Sequence, residues 1–596
     1  MAQRNTYRDD EELDERINLH DILRIGVYLK PYLARIVRIL CVIVMMSCIA
    51  VAVPYLTKIV VDEVIPHKDL RTLSLLVVAM GVLIVIYEFG LRYRTVEITR
   101  VGQLMLKDMR RDLFTHIQTL PFSYFDSRPH GKILIRVVNY VNTLSDTLSS
   151  GLINVISDVF TFLITMVVMF VVDWRLALFS LALFPLLIVW VLVLQHFQRR
   201  AYQALSNKQS NLNAYIHESI AGVKTTQAFA REAEQFRTFQ EQQNEVRLAW
   251  MRAVHVQTLM WPGIQTISVM TIALIYYVGV TGFGAVNVTT GVLIAFVGYA
   301  NNFWNPVISI GNFYNQLITC SAYLERIFET LDVEPAIRNA PGAIDLPQIE
   351  GRVDFNDVVF RYEPDGRNIL NAIDLHVDPG KTIALVGPTG AGKTTIINLL
   401  SRFYDVAEGS VAIDGHDVRD VTLESLRRQM GVMLQDTFIF SGTVRENIRY
   451  GRLDATDEEI MAAARAVHAH EFIIDLPDGY DTVVQERGST LSAGQRQLIA
   501  FARVLLADPR ILILDEATSN IDTRTEEALQ AGLNHLLKGR TSFIIAHRLS
   551  TIENADEICY IDHGRIVEQG SHAELLARKG AYWRLYESQY AMIKAE

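Results

Sequence analysis

A glycine-rich segment carries the clearest chemistry in this sequence of 596 residues. The run TIALVGPTGAGKTTIINLL predicts a β-strand, a loop and the start of a helix, and it matches the spacing GxxxxGK[ST] from Gly387 to Thr394. Glycines let successive backbone N–H groups turn towards phosphate oxygens at a helix N-terminus, where the helix dipole favours anions. Lys393 adds a positive charge for the β- and γ-phosphates, and the Thr394 hydroxyl is placed to bind Mg²⁺. The alternative is an ordinary glycine turn, but the flanking strand and helix favour a nucleotide site.

A second predicted strand, ILILD at Ile511–Asp515, is followed directly by another acid. Its apolar run is typical of a strand that is buried on both faces. Asp515 at the tip of the strand is expected to hold Mg²⁺, and Glu516 is expected to orient and deprotonate the attacking water. The alternative for these two acids is a solvated loop.

Both motifs need a soluble domain to position them. After Arg338 the stretch NAPGAIDLPQIEG is rich in turn residues, and VDFNDVVFRY then alternates in polarity as a strand does. We therefore predict a domain boundary here and a soluble α/β domain over residues 350–590.

The segment LSAGQ at Leu491–Gln495 discriminates among P-loop ATPases. Together with the two motifs above, it resembles the ATP-binding cassette (ABC) transporters. The resemblance implies a P-loop ATPase domain with a helical subdomain, and two such cassettes that enclose two ATP molecules. It also implies that the N–H groups of Ser492 and Gly494 contact the γ-phosphate of the ATP bound to the opposite cassette.

The resemblance assigns roles to individual residues. It implies that Tyr362 stacks on adenine, that Gln435 senses Mg²⁺ and water, that His547 contacts the γ-phosphate, and that Asp522 faces the partner. Glu486 resembles the acid of exporters that contacts the crossing helices. The residues expected at the site are, for catalysis, Glu516, His547 and Gln435; for the nucleotide, Tyr362, Gly387, Thr389, Gly390, Gly392, Lys393, Thr394, Thr395, Ser492, Gly494, Gln495 and Asp522; and for Mg²⁺, Thr394, Gln435 and Asp515.

Four positions depart from the family pattern. Ala493 replaces the usual glycine of the signature, a small change that we expect to be tolerated. Asn520 and Ile521 replace the commoner Ala-Leu, a variant associated with the catalytically complete member of heterodimeric exporters. Tyr140 stands where an aspartate is usual, so contacts in that region are expected to differ.

The first half of the chain has the composition of a membrane domain. Hydrophobic residues make up 50% of the sequence, and the mean hydropathy is +0.19. Runs long enough to cross the bilayer, about 20 residues each, all occur before residue 320. The six predicted spans are Ile36–Leu56, Leu73–Leu91, Ile153–Val172, Leu176–Leu194, Gly263–Thr281 and Gly291–Ile318.

The segments between spans two and three, and between spans four and five, are unusually long, roughly 60 residues each, which requires structure of their own. They are rich in arginine and lysine, so the positive-inside rule places them and both termini in the cytoplasm. We predict long helical extensions, each pair joined by a short crossing helix, near Pro121–Phe125 and near Tyr215–Gly222. The predicted domains are a cytoplasmic N-terminus with an amphipathic elbow helix over residues 1–35, for which a plain helix start is the alternative, and a six-helix transmembrane domain over residues 36–335.

Six spans followed by a cassette resemble the arrangement of an exporter half-transporter, in the group of bacterial multidrug and lipid exporters (type IV ABC transporters). PFSYFDSRPHGKILIRV and ESIAGVKTTQAFAREAE resemble its two crossing regions. The resemblance implies ATP-driven export by alternating access across the bacterial inner (plasma) membrane, with ATP and Mg²⁺ as cofactors. An inactive structural partner is disfavoured because Glu516, His547 and LSAGQ are all present. A regulated channel of this family normally has two halves and a regulatory insert in one chain, and this chain has neither.

Composition narrows the partners. The net charge is −10 and no basic stripe is present, which disfavours nucleic acid. The partners expected are a second half-transporter, the lipid bilayer and the transported molecule. The four cysteines show no ligand spacing and are expected to be structural.

The transported molecule is not identified by the sequence. Few charges occur in the spans, which favours a hydrophobic or amphipathic substrate such as a drug-like compound or a lipid. A lipid-linked molecule or a peptide as substrate, or a regulatory subunit of a heterodimer, remain alternatives, and homodimer or heterodimer stays open. The residues considered for a substrate cavity are Glu88, Asp158, Trp190, Trp261, Phe303 and Trp304, with interfacial positions as the alternative for each.

Overall fold

The computed structural model describes residues 19–126, 128, 130–145, 151, 153–282, 288–302, 304–363, 366–433, 437–515, 523–546 and 552–590. The chain divides into two compact units. The first contains the residues up to Thr119 together with Arg128–Val333, and the second contains Leu120–Ser127 together with Glu334–Glu596.

The described part of the first unit is helical. Its α-helices are Leu19–Arg24, Gly26–Leu29, Leu33–Ile59, Ile65–His67, Leu70–Thr119, His130–Ile135, Val141–Ser145, Ile153–Val172, Trp174–Leu181, Phe184–Ala221, Val223–Ala228, Glu232–Thr258, Met260–Thr281, Thr290–Ala300 and Trp304–Leu331, with a 3₁₀ turn at Lys30–Tyr32 and π-helical turns at Val60–Val64 and Arg136–Tyr140. Five stretches within the described residues are long and apolar enough to cross a membrane. These correspond to the first five predicted spans.

The sixth predicted span is not one continuous helix. It is divided into Thr290–Ala300 and Trp304–Leu331, with a turn at Asn301 and Asn302 between them. Asparagine side chains favour turns because they hydrogen-bond to nearby backbone, and a proline at 306 suits the first turn of a new helix. The sequence-based prediction of a span over Gly291–Ile318 did not include this break.

The fourth predicted span is also interrupted, at Ala182 and Leu183, before the helix Phe184–Ala221 with a proline in its first turn. Its start is well defined. Asp173 caps the helix Trp174–Leu181 by accepting hydrogen bonds of 2.9 Å from the N–H groups of Arg175 and Leu176. The polar break between spans three and four thus serves as a helix cap.

Several helices are much longer than a bilayer is thick. Leu70–Thr119 has 50 residues, which at the rise of an α-helix is about 75 Å, against about 30 Å of hydrocarbon. Two short helices lie close to the predicted crossing helices, at Phe122–Asp126 and at Val223–Ala228. The prediction near Tyr215–Gly222 was too early, because the preceding helix continues through Ala221.

The described part of the second unit contains twelve strands. They are β1 Val353–Phe360, β2 Leu370–Val377, β3 Thr382–Val386, β4 Glu408–Ile413, β5 His416–Asp417, β6 Met430–Met433, β7 Gly442–Thr443, β8 Val483–Val484, β9 Ile511–Asp515, β10 Thr541–Ile545, β11 Glu557–Asp562 and β12 Arg565–Gly570. The central sheet has the order β12-β11-β3-β10-β9-β6. Its strands pair in parallel, apart from the antiparallel edge pair β11-β12. A second sheet has the order β2-β1-β4-β5, and β7 pairs with β8.

Helices complete this unit. The α-helices are Phe122–Asp126, Lys393–Leu400, Leu423–Arg428, Val444–Arg449, Asp457–Ala466, His470–Ile474, Ala493–Ala507, Thr523–Leu537, His572–Arg578 and Ala581–Tyr590, with 3₁₀ turns at Gly479–Asp481 and Glu486–Gly488. The central strands are buried on both faces, as the run Ile511–Leu514 shows with exposures of 2% or less. An apolar strand with helices on both sides is what a parallel sheet requires.

Candidate functional site

The glycine-rich loop joins β3 to the helix Lys393–Leu400. Gly387 has φ +147°, and a Cβ atom there would lie 2.1 Å from the carbonyl oxygen of Ile561 on the neighbouring strand. Gly392 caps the helix with φ +110°, and no side chain caps the first turn. Only glycine meets both requirements, so the loop leaves backbone N–H groups at a helix N-terminus available for an anion. Thr389 and Gly390 form the exposed turn between them.

Lys393 is the first residue of that helix and is 9% exposed. Its ammonium group donates hydrogen bonds of 2.7 Å and 2.9 Å to the carbonyl oxygens of Gly387 and Pro388. Burial lowers the pKa of Lys393, and the negative charge of Asp515 acts in the opposite direction. The lysine is thus held against its own loop, beside the acid at the end of β9.

The register of the central sheet explains why these two motifs meet. In the parallel sheet, Ile545 of β10 is aligned with Leu385 of β3 on one side and with Asp515 of β9 on the other. Parallel strands end at the same edge, so the loop that follows β3 and the acid at the tip of β9 share that edge. The order β3-β10-β9-β6 continues along the edge to Met433.

Tyr362 follows β1 and is 47% exposed. Its hydroxyl hydrogen-bonds with the Thr395 hydroxyl over 3.1 Å, and Thr395 is itself buried. This contact orients the tyrosine ring beside the helix of the glycine-rich loop. Thr394, by contrast, is exposed, so the two threonines are oriented differently.

The segment Leu491–Gln495 opens the helix Ala493–Ala507 with a reciprocal cap. The Ser492 hydroxyl accepts a hydrogen bond of 3.2 Å from the N–H of Gln495, and the Gln495 side-chain oxygen accepts one of 2.9 Å from the N–H of Ser492. The Ser492 N–H is therefore occupied within the helix start. Gly494 lies buried in the first turn.

Four of the residues predicted for the nucleotide site lie outside the described residues, namely Gln435, Glu516, Asp522 and His547, and so do the variant positions Asn520 and Ile521. The side chain of Glu486 is likewise outside them, although its backbone starts the turn Glu486–Gly488.

Two family models match the chain. The model described as the ABC transporter transmembrane region matches residues 36–307, and the model described as ABC transporter matches residues 370–519. An uncharacterized ABC transporter ATP-binding protein of Bacillus subtilis is 41% identical over 99% of this chain and 98% of its own length. The chain belongs to the ABC transporter family.

Other relatives of this transporter carry more specific names. An ATP-dependent lipid A-core flippase of Syntrophus aciditrophicus is 35% identical over 94% of this chain and 93% of its own. The structure of a bacterial Atm1-family ABC exporter with ATP bound is similar with a TM-score of 0.76 and 29% identity, covering 94% of this chain and 98% of that one. The family and the fold class predicted from the sequence are confirmed. The protein is a multi-pass membrane transporter that hydrolyses ATP, and exporters of this type work as dimers.

Tyr404 of this ABC transporter, which the sequence motifs did not single out, lies just after the helix of the glycine-rich loop. Its hydroxyl donates a hydrogen bond of 2.9 Å to Asp126 in the short helix Phe122–Asp126. Its ring meets the Tyr362 ring edge-on, with centroids 5.1 Å apart. The neighbouring Phe403 contacts Phe122 with ring centroids 4.6 Å apart. Two adjacent aromatic residues in the polar run SRFYD were the available signal.

The transporter's helical unit contains a cavity of about 690 Å³ between the helices Phe184–Ala221 and Trp304–Leu331. Its described lining is Phe184, Ile188, Val191, Leu192, Gln195, His196, Arg199, Val307, Ile310 and Gly311. Glu88, Asp158, Trp190, Trp261 and Trp304, which were considered from the sequence, are not among its described lining residues, and Phe303 lies outside the described residues. Trp190 instead packs on Gly263, where a Cβ atom would lie 2.2 Å from its ring.

Proposed function

We propose that this ATP-driven exporter moves a hydrophobic or amphipathic molecule, a drug-like compound or a lipid, out of the cytoplasm by alternating access. The main support is the apolar cavity within the helical unit of a chain that also carries an ATPase cassette. Cavities lined mostly by apolar side chains with a few polar groups at one end suit such molecules. The flippase and multidrug export names of relatives agree with this substrate class.

The nucleotide is proposed to bind as Mg²⁺-ATP at the edge where β3, β10, β9 and β6 end. The glycine-rich loop and Lys393 hold the phosphates, while Asp515 and the Thr394 hydroxyl hold Mg²⁺. The oxygen atoms of Asp515 and Thr394 are ligands of the kind that Mg²⁺ prefers, and the buried ammonium group of Lys393 suits the phosphates of ATP. Tyr362 offers an exposed ring on which adenine can stack.

The remaining roles follow from positions in the sequence. Gln435 comes two residues after β6, Glu516 directly after β9, and His547 two residues after β10. The strands before them end at one edge, so these residues are proposed to act on water, metal and γ-phosphate there. Ser492, Gly494, Gln495 and Asp522 are proposed to serve the site of the partner cassette, and Glu486 to contact a crossing helix. We also propose that the domains have the boundaries 1–35, 36–335 and 350–590, and that both termini lie in the cytoplasm.

The test is transport by the full-length protein in proteoliposomes. We expect ATP-dependent movement of a fluorescent amphipathic dye or a fluorescent phospholipid analogue, and none of carboxyfluorescein, a hydrophilic control. Movement of carboxyfluorescein alone contradicts the proposed substrate class. Native mass spectrometry of the purified complex, with one subunit mass or two, decides between a homodimer and a heterodimer.

A further inference from the structure

The cavity in the helical unit has an apolar end and a polar end. Along the helix Phe184–Ala221 the lining residues fall at 184, 188, 191, 192, 195, 196 and 199, a helical spacing that places them on one face. The apolar part runs from Phe184 to Leu192, and Val307 and Ile310 face it from the other helix. The polar part consists of Gln195, His196 and Arg199 and begins about one helical turn after Leu192.

The two ends are separated by a defined length. Arg199 follows Ile188 by three turns of helix, about 16 Å at the rise of an α-helix. A ligand that fills the cavity along this direction therefore has an elongated apolar part and a separate polar head.

Gln195 marks the beginning of the polar part. Its side-chain nitrogen is buried and has no hydrogen-bond partner in the described structure. It lies against Gly311, where a Cβ atom would be only 1.5 Å from that nitrogen. The missing side chain of Gly311 thus makes room for an amide whose N–H groups still need an acceptor.

The polar end of the cavity carries a cationic side chain. Arg199 carries a guanidinium cation. None of the ten described lining residues is acidic. An acceptor with negative charge complements both the guanidinium group and the amide N–H of Gln195, whereas a cationic head would be repelled.

We propose that this cavity binds an amphipathic anion, with its apolar part along Ile188 and Val191 and its acidic head at Gln195 and Arg199. The inference rests on the proposed export function and names the substrate class. With the proposed cytoplasmic termini, Arg199 lies towards the cytoplasmic end of the helix Phe184–Ala221, so the acidic group of the ligand lies on the cytoplasmic side of the membrane. The chemistry is shared by anionic membrane lipids and by soluble amphipathic acids.

The binding test uses two probes with the same chain and opposite heads. Full-length protein in nanodiscs is loaded with dansyl-undecanoic acid, and dodecyl phosphate or dodecyltrimethylammonium displaces it below its micellar concentration. Nanodiscs without protein give the background. We expect dodecyl phosphate to bind at least about tenfold tighter than dodecyltrimethylammonium, because a hydrogen bond to a charged group contributes at least that much affinity. Equal displacement by the two probes overturns the proposal.

Two neighbouring arginines provide a matched pair of variants. Arg199→Gln removes the charge at the cavity, and Arg200→Gln removes the same charge from an exposed position that does not line it. We expect Arg199→Gln to lose the preference for the anion and Arg200→Gln to keep it within about twofold. An equal loss in both variants overturns the proposal, because the effect would then be one of general charge.

A second pair of variants tests the contact between the Gln195 amide and Gly311. Gly311→Ala places a methyl group at the Gln195 nitrogen, whereas Gly81→Ala adds one to a helix position with nothing within 4 Å. We expect weaker binding of dodecyl phosphate only in Gly311→Ala. If Arg199→Gln is not stably folded, Gln195→Leu replaces it, since leucine keeps the helix but removes the donor. Unchanged binding in Gly311→Ala and in Gln195→Leu contradicts the assignment.

Transport in proteoliposomes separates this inference from the proposed function. Transport of fluorescent phosphatidylglycerol, compared with that of fluorescent phosphatidylcholine, tests whether the ligand is an anionic membrane lipid. Transport of dodecyl phosphate tests whether it is a soluble amphipathic acid. Transport of either anion supports the inference. Movement of only neutral or cationic amphipaths overturns the inference but leaves the proposed function. If ATP is hydrolysed and no amphipath of any charge is moved, the proposed function itself fails.

Discussion

The Tyr404 hydroxyl donates a hydrogen bond of 2.9 Å to the Asp126 carboxylate, which joins the ATPase cassette to the short helix Phe122–Asp126. The same tyrosine ring contacts Tyr362, the ring proposed to stack on adenine. Burial and the bond to Asp126 raise the pKa of Tyr404, so the hydroxyl stays protonated and donates at physiological pH. One residue thus touches both the proposed adenine site and the proposed crossing helix.

Tyr404→Phe is expected to reduce the coupling of ATP hydrolysis to transport. Phenylalanine keeps the ring against Tyr362 but cannot donate to Asp126, a loss of about 1 kcal/mol of stabilisation at this contact. ATP binding should stay within about twofold of wild type, while transport per ATP hydrolysed falls. Tyr450→Phe, at an exposed tyrosine of the same cassette, is the control. Unchanged transport per ATP in Tyr404→Phe would show that the contact has no role in coupling.

Glu516→Gln is expected to lower ATP turnover by at least about a hundredfold while ATP still binds, because an amide cannot take a proton from water. Labelled ATP should remain bound unhydrolysed. Glu458→Gln removes an exposed acid of the same cassette and should hydrolyse normally. A Glu516→Gln protein with half the wild-type rate would remove this residue from the role of base.

Lys393→Ala is expected to weaken both ATP binding and hydrolysis. The variant loses the cation nearest the phosphates, and it also loses the bonds that hold the loop through Gly387 and Pro388. A fluorescence titration with an ATP analogue measures the affinity, which should fall at least about tenfold. Lys381→Ala, an exposed lysine paired with Asp556 at the start of β3, should bind as wild type. Equal affinities for the two variants contradict the phosphate role.

Ser492→Asp tests whether the site is shared between two cassettes. Aspartate is a good helix cap, so the start of the helix Ala493–Ala507 is preserved, but its charge repels a γ-phosphate. We expect normal ATP binding on the variant's own loop and loss of hydrolysis by the partner. Ser492→Asn keeps the cap without the charge and should be milder.

Mixing the two lesions gives the decisive measurement for a homodimer. A Ser492→Asp chain with a Lys393→Ala chain puts both lesions in one composite site and leaves the other intact, so some activity should return. Impaired ATP binding by the Ser492→Asp chain itself contradicts the shared site.

The ion pair of Arg24 with Asp332 predicts a dependence of stability on pH. Two hydrogen bonds of 2.6 and 2.7 Å join these side chains, and the bond from Arg24 lowers the pKa of Asp332 below its ordinary value of 3.8. A carboxyl group whose pKa is lowered by folding stabilises the fold at pH values above its pKa in the unfolded chain. This stabilisation is lost as the pH falls through the pKa of the folded state. The wild type should therefore be more stable than Asp332→Asn at pH 7, by less than about 1 kcal/mol because both side chains are partly exposed.

Thermal unfolding in detergent at several pH values tests this prediction. The difference between wild type and Asp332→Asn should shrink below about pH 4. Glu334→Gln, an acid 86% exposed and 3.6 Å from Arg338, is the control and should show a smaller difference at pH 7. A difference that grows on acidification contradicts the assignment.

The sequence by itself determined the parts of this protein that depend on local pattern. The glycine-rich loop is recognisable because phosphate binding at a helix start needs glycines and a lysine at fixed spacing. The first five spans are recognisable because apolar length is set by the bilayer. The reciprocal cap of Ser492 and Gln495 is also local, since both residues lie within one turn.

Tertiary structure decided what depends on distant residues. The pairing of β9 and β3 with β10 places Asp515 beside Lys393, although 122 positions separate them in the numbering from 393 to 515. The contact of Tyr404 with Asp126 and the seat of Gln195 on Gly311 arise because chain segments far apart in sequence pack together. Hydrophobic pattern fixes which face of an element is buried, but not which partner covers it. For that reason the cavity that separates an apolar end from a cationic one became visible only when the helices were packed.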